Sequence, residues 1–72
     1  MNYYGRLKDL REDNDLTQMD IAKLLGTTRQ QVSKWEQGVQ MMGVDKYIKL
    51  AHFYNVSVDY LLGLTDIPKK LQ

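Results

Sequence analysis

Arg29, Gln30, Ser33, Lys34 and Gln37 are all hydrogen-bond donors, and helical spacing puts them on one face of the segment 29–37. None is acidic. A guanidinium matches the O6/N7 edge of guanine in the DNA major groove, and a glutamine amide matches the N6/N7 edge of adenine. An acid-free donor face is what a helix needs to lie between two phosphate backbones. Solvated helix faces are also rich in Lys, Gln and Arg, so this face alone does not decide its chemistry.

The elements that must position the face are more specific. Residues 18–37 read as two helices meeting at a sharp angle across a turn of three or four residues. That geometry needs a small residue where the helices touch, which Ala22 supplies, and a turn glycine, which Gly26 supplies. Ile21, Leu25, Val32 and Trp35 then face the rest of the domain. Capping signals bound both helices. Thr17 with Asp20 opens the first, over about 18–25, which buries Ile21, Leu24 and Leu25. Thr28 with Gln31 opens the second, over about 29–37, and Gln31 is read as the capping-box partner rather than a base reader. Gly38 closes it.

Around this pair, a helix over about 4–14 buries Leu7 and Leu10 and breaks at Asn14-Asp15. After a loop at 38–43, a fourth helix over 44–54 is expected to turn Val44, Tyr47, Ile48 and Ala51 inward and to stop at Asn55. Ser57 caps a fifth over 58–62, which Gly63 ends. The tail from Leu64, with Pro68 and Lys69-Lys70, is expected to fray. No useful stretch alternates with a period of two, so no strand is predicted.

The chain has 72 residues, enough for one small domain, and no cysteine to staple it. Ten Lys plus Arg against nine Asp plus Glu leave a net charge of +1, a weak signal for nucleic acid. Placement says more than the sum. Asp9, Glu12, Asp13 and Asp15 crowd one stretch, read as a solvated face, whereas Lys23, Arg29 and Lys34 stand in the middle of the chain. No apolar run approaches membrane-spanning length and the N-terminus lacks a signal-peptide core, so the reading is cytoplasmic. His52, the single histidine, has no companion for a metal site. No nucleophile–base set and no phosphate-binding glycine loop is present, so neither an enzyme nor a cofactor is expected.

The stretch Leu16-Thr17-Gln18-Met19-Asp20-Ile21-Ala22-Lys23-Leu24-Leu25-Gly26 resembles the first half of the Cro and phage-repressor helix-turn-helix family, also called the Xre family. Val32-Ser33-Lys34-Trp35-Glu36-Gln37-Gly38 resembles its second half. Lys49-Leu50-Ala51 and Val56-Ser57-Val58-Asp59-Tyr60-Leu61-Leu62-Gly63 resemble its closing helices. The similarity runs over roughly residues 4–66. It implies an all-α, compact five-helix lambda-repressor-like DNA-binding domain over 1–66, with its helix-turn-helix at 18–37 and a C-terminal tail at 67–72.

The resemblance also implies roles. Arg29, Gln30 and Lys34 fall where the family reads bases. Gln18 falls where it contacts a phosphate, and Ser33 and Gln37 at positions that meet the backbone; Thr28 is grouped with these backbone contacts. Arg11 and Glu36 match a structural ion pair, which would also neutralise a carboxylate otherwise close to DNA phosphates. One region departs from the pattern. The loop Val39-Gln40-Met41-Met42-Gly43 has no lysine or arginine, and Met42 stands where the family commonly has proline. Asp45 follows in the first turn of helix four. The two methionines are read as packing on the domain, with a small partner-binding patch as the other reading.

The function implied is a sequence-specific regulator of transcription, a repressor, binding double-stranded DNA as a homodimer on a palindromic operator. Val58, Tyr60, Leu61, Leu62 and Leu64 offer more apolar surface than one short helix hides, so the dimer contact is expected at helix five and the start of the tail. The alternative is a helix-turn-helix protein-interaction module, whose partner is another regulator, an RNA polymerase subunit or a toxin. The near-neutral charge and the methionine loop favour that alternative; the intact donor face favours DNA.

Overall fold

The structure is a computed structural model and describes residues 2–69. Five helices follow one another: α1 (Tyr3–Asp13), α2 (Gln18–Leu25), α3 (Arg29–Glu36), α4 (Val44–Tyr54) and α5 (Val58–Leu61). No strand occurs among the described residues, and no helix there is long and apolar enough to cross a membrane. The α3 and α5 ends fall one residue short of expectation, at Glu36 and Leu61, because Gln37 and Leu62 serve as the C-caps.

Side chains start four of the helices. Asn2 accepts a hydrogen bond from the Gly5 N–H at 2.7 Å, Thr17 from Asp20, Thr28 from Gln31 and Ser57 from Tyr60. At α2 the box is complete, since the Asp20 carboxylate accepts from the Thr17 N–H at 2.8 Å; those bonds hold the Asp20 pKa below the usual carboxylate range. At α3 it is half complete. The Gln31 side chain does not return to Thr28 but donates to the Gln40 side chain at 2.6 Å, which corrects the expected capping role.

One core joins all five helices. Leu7 of α1, Ile21, Ala22 and Leu25 of α2, Val32 and Trp35 of α3, Tyr47, Leu50 and Ala51 of α4 and Leu61 of α5 are buried together. Leu10 and Leu24 pack against this cluster half-buried. Met42 belongs to the core, so of the two methionines expected to pack on the domain this one does, while Met41 is exposed. On α4 the inward stripe is Tyr47, Leu50, Ala51 and Tyr54. Val44 and Ile48, expected inward, are 72% and 46% exposed. Two overlapping apolar stripes exist on this helix, and the bulkier one faces the core.

The tail is not free at its start. Arg6 is 5% exposed, and its guanidinium donates to the carbonyls of Tyr60 (3.1 Å) and Thr65 (3.3 Å) and to the Asp66 carboxylate (2.9 Å). It lies over the Tyr60 ring, 3.9 Å from the centroid. Residues to Asp66 are thereby fastened to α1, against the expectation of fraying from Leu64. The end of the tail, beyond Lys69, lies outside the described residues.

Candidate nucleic-acid interface

The turn between α2 and α3 is built by Gly26, whose φ of +68° is the left-handed conformation that glycine adopts without a Cβ penalty. The Thr27 N–H donates to the Ala22 carbonyl at 2.9 Å and closes the end of α2. Ala22 is fully buried, as expected of the residue at the helix contact. Thr28 then restarts the chain as α3. Only the residues from Gly26 to Thr28 separate the helices, so the orientation of α3 follows from the packing of α2.

Val32, Trp35 and Glu36 are the buried residues of α3. The opposite face carries Arg29, Gln30, Lys34 and Gln37, all exposed, with Ser33 half-buried at its margin and exposed Thr28 at its N-cap. Ser33 and Gln37 are joined, the Gln37 amide donating to the Ser33 hydroxyl at 3.0 Å. The single acid of the helix, Glu36, is 8% exposed and turned to the interior, so the face is free of acidic side chains.

Glu36 is satisfied from two sides. Arg11 meets it with two parallel bonds, Nε to Oε2 at 2.7 Å and a terminal nitrogen to Oε1 at 3.1 Å. The remaining terminal nitrogen of Arg11 donates to the Leu16 carbonyl at 2.9 Å. Hydrogen bonding to the Glu36 carboxylate moves the Arg11 pKa further above its ordinary value, against desolvation. The expected pair is therefore present, with Glu36 buried and Arg11 partly buried. The Gln18 amide also donates to Glu36, at 3.1 Å. Its own oxygen accepts from Arg29 at 3.4 Å. A continuous chain of contacts thus runs from α1 through Glu36 and Gln18 to the exposed guanidinium of Arg29.

The 38–43 loop folds back over the end of α3. The N–H groups of Val39 and Gln40 both point to the Lys34 carbonyl, at 3.0 and 3.5 Å. Gly38 (φ +77°) sits on the Tyr4 ring, where a Cβ would fall 2.8 Å from a ring carbon. Asp45 is exposed and lies 3.6 Å from the Lys46 ammonium. Two residues that matter here escaped the sequence. Arg6 anchors main-chain carbonyls that no motif marks, and Gln40 meets Gln31 across the loop. Among the described residues no cluster of potential metal ligands is found.

The fold and this geometry define a five-helix, lambda-repressor-like helix-turn-helix domain. The chain belongs to the helix-turn-helix family, whose model matches residues 7–61, and it is of the Cro and phage-repressor type. It is 39% identical over 66 residues to the uncharacterized HTH-type transcriptional regulator YobD of Bacillus subtilis (strain 168), covering 92% of this chain and 59% of that protein. With the HTH-type transcriptional regulator ImmR of the same organism it shares 37% identity over 70 residues, 97% of this chain and 55% of ImmR. The chain therefore spans little more than half the length of these relatives. Its fold is that of the P22 c2 repressor crystallised with a synthetic operator, with a TM-score of 0.79, 22% identity, and coverage of 86% of this chain and 94% of that one.

Proposed function

We propose that this chain is the sequence-specific DNA-binding domain of a transcriptional regulator, a repressor, and that it reads the major groove of double-stranded DNA with α3. In this reading Arg29, Gln30 and Lys34 contact base edges, and Gln18, Thr28, Ser33 and Gln37 contact the phosphate backbone. The observation that carries it is the exposed, acid-free donor face of α3, with its one carboxylate, Glu36, withdrawn into an ion pair with Arg11. The similarity to transcriptional regulators over nearly the whole chain supports the same reading. Selection of bound sequences from a random duplex pool at fixed salt tests it. Enrichment of a defined sequence is expected, and an unenriched pool would sink the proposal.

The same reading makes the bound form a homodimer on a palindromic operator, because one small module contacts few base pairs. Leu61 is fully buried and Val58, Tyr60 and Leu62 are half-buried, so of that group Leu64 alone remains exposed. Val44 and Ile48 on α4 add exposed apolar surface, with Met41 in the loop before them. Those same side chains are the observation that favours the second reading, a protein-interaction module. Inserting five base pairs between half-sites rotates one of them to the far side of the duplex; cooperative binding that survives the insertion would exclude the dimer.

A further inference from the structure

Gln18 bonds at once to two residues of α3 that stand seven positions apart, Arg29 and Glu36. Two helical turns separate them, so both sit on one stripe of the helix. The Gln18 amide donates to Glu36 Oε1 at 3.1 Å, and its oxygen accepts from Arg29 at 3.4 Å. That orientation is forced from both ends. A carboxylate only accepts, so Glu36 requires the NH2 group; a guanidinium only donates, so Arg29 requires the oxygen. Glu36 itself cannot turn away, because its side chain is 5% exposed and both of its oxygens are held by Arg11.

Arg29 is exposed, and Gln18 engages one terminal nitrogen of its guanidinium. A two-donor edge remains for the O6 and N7 atoms of a guanine. A free arginine that meets the wrong base swings to a phosphate and recovers a bond there. An arginine anchored through Gln18 stays at the base edge, and the wrong base leaves its donors unpaired. Anchoring therefore enlarges the penalty for a wrong base rather than the affinity for DNA in general.

We propose that Glu36 is a positioning residue for sequence discrimination: by fixing the Gln18 amide it holds the Arg29 guanidinium at a base edge. The inference rests on the reading of α3 as the groove-facing helix. Removing the charge while keeping the shape reverses the polarity of the chain of bonds. In Glu36→Gln the new side chain has one oxygen, which Arg11 takes, and an NH2 group, which is left facing Gln18. Gln18 then turns its oxygen to position 36 and its own NH2 to Arg29, donor against donor.

Binding of the native chain, Glu36→Gln, Gln18→Met, Arg29→Ala and the Glu36→Gln/Arg29→Ala double variant tests it, at a temperature below every unfolding midpoint. The probes are the selected duplex, the same duplex with each single base-pair change, and random duplex. Arg29→Ala identifies the base pair that Arg29 reads, as the one whose change no longer costs affinity. Glu36→Gln should lower discrimination at that base pair alone, by about three- to tenfold, and leave the other positions and random duplex as in the native chain. In the Arg29→Ala background Glu36→Gln should alter discrimination nowhere. Gln18→Met keeps the Arg11–Glu36 pair and decides the matter should Glu36→Gln not fold; it should lose discrimination at the same base pair, on top of a uniform loss from its phosphate contact. Native discrimination in either folded variant, a Glu36→Gln loss spread over all positions, or one that persists without Arg29 overturns the positioning role and leaves the groove reading standing. A native chain that selects no sequence, or native discrimination everywhere in Arg29→Ala, overturns base reading by Arg29 and this inference with it.

Discussion

Two arginines on α1, five residues apart, are both withdrawn from solvent, and they are neutralised in different ways. Arg11 faces a full counter-charge: the Glu36 side chain is 5% exposed and bound through both oxygens. Arg6 faces two main-chain carbonyls, the Tyr60 ring and a carboxylate, Asp66, whose side chain is 90% exposed. The difference lies in who depends on whom. Glu36 is a buried anion and needs Arg11 and Gln18 to remain buried. Asp66 is hydrated with or without Arg6. At the first site each partner is indispensable to the other, whereas at the second the dependence runs one way.

The largest expected effect follows from the first site. Glu36→Ala leaves a nearly buried guanidinium with a single carbonyl partner, and Arg11→Ala leaves a buried carboxylate with one amide donor. Each should destabilise the domain by about 3–5 kcal/mol in denaturant unfolding. The double variant should cost much less than the sum, giving a clear coupling energy. Additive losses would mean that the two groups do not depend on each other, and the comparison would collapse.

The second site should respond asymmetrically. Arg6→Ala removes charge-assisted bonds to two carbonyls and the stacking on Tyr60, an expected loss of about 2 kcal/mol. Asp66→Ala removes only an exposed partner and should cost below about 1 kcal/mol. Hydrogen exchange after Arg6→Ala should show the 60–66 segment opening while α2 and α3 keep their protection. Equal losses for Arg6→Ala and Asp66→Ala would show that Asp66 is an essential partner, and the two sites would then be of one kind.

The sequence exposed the first site and hid the second for a physical reason. Arg11 and Glu36 stand where the resemblance to the Cro and phage-repressor family implies an ion pair, and chemistry supports it, since an unpaired Glu36 would stand close to DNA phosphates. The partners of Arg6 are mainly carbonyls of Tyr60 and Thr65, and a carbonyl has no sequence signature. The same limit explains Gln31. A glutamine three residues after an N-cap satisfies the local rule, but Gln40, brought near by the loop, offers its oxygen instead. Helix ends, the turn glycine and the buried Ala22 were legible because they depend on local conformation or on a contact between adjacent helices. The inward face of α4 was legible only in Tyr47 and Ala51: Val44/Ile48/Ala51 and Tyr47/Leu50/Ala51/Tyr54 both have helical period, and only tertiary packing chooses between them.

The smallest effect concerns the phenol of Tyr54, which reports on the Arg11–Glu36 pair without belonging to it. Desolvation, with the Glu36 charge as a second cause and the Arg11 charge in opposition, pushes the Tyr54 pKa from its ordinary 10.0 up to about 12. Tyr47 is also pushed up to about 12, by desolvation first and Tyr3 second, with neither ion-pair member among its causes. For both residues the neutral form is favoured in the folded state. Their contribution to stability is therefore complete below pH 10.0, where the unfolded phenol is also neutral, and is lost as pH rises toward about 12. Glu36→Gln removes one of the two causes that raise the Tyr54 pKa and leaves the opposing Arg11 in place, so Tyr54 should ionise at lower pH than in the native chain while Tyr47 does not move. Ultraviolet titration of the phenolate bands, with Tyr54→Phe to assign them, resolves the two residues. Tyr54 should still ionise later than an ordinary tyrosine in Glu36→Gln, because burial is its leading cause. A Tyr54 titration unmoved by Glu36→Gln would mean that the buried charge is already fully compensated by Arg11 and Gln18, making the first site electrostatically as silent to its neighbours as the second.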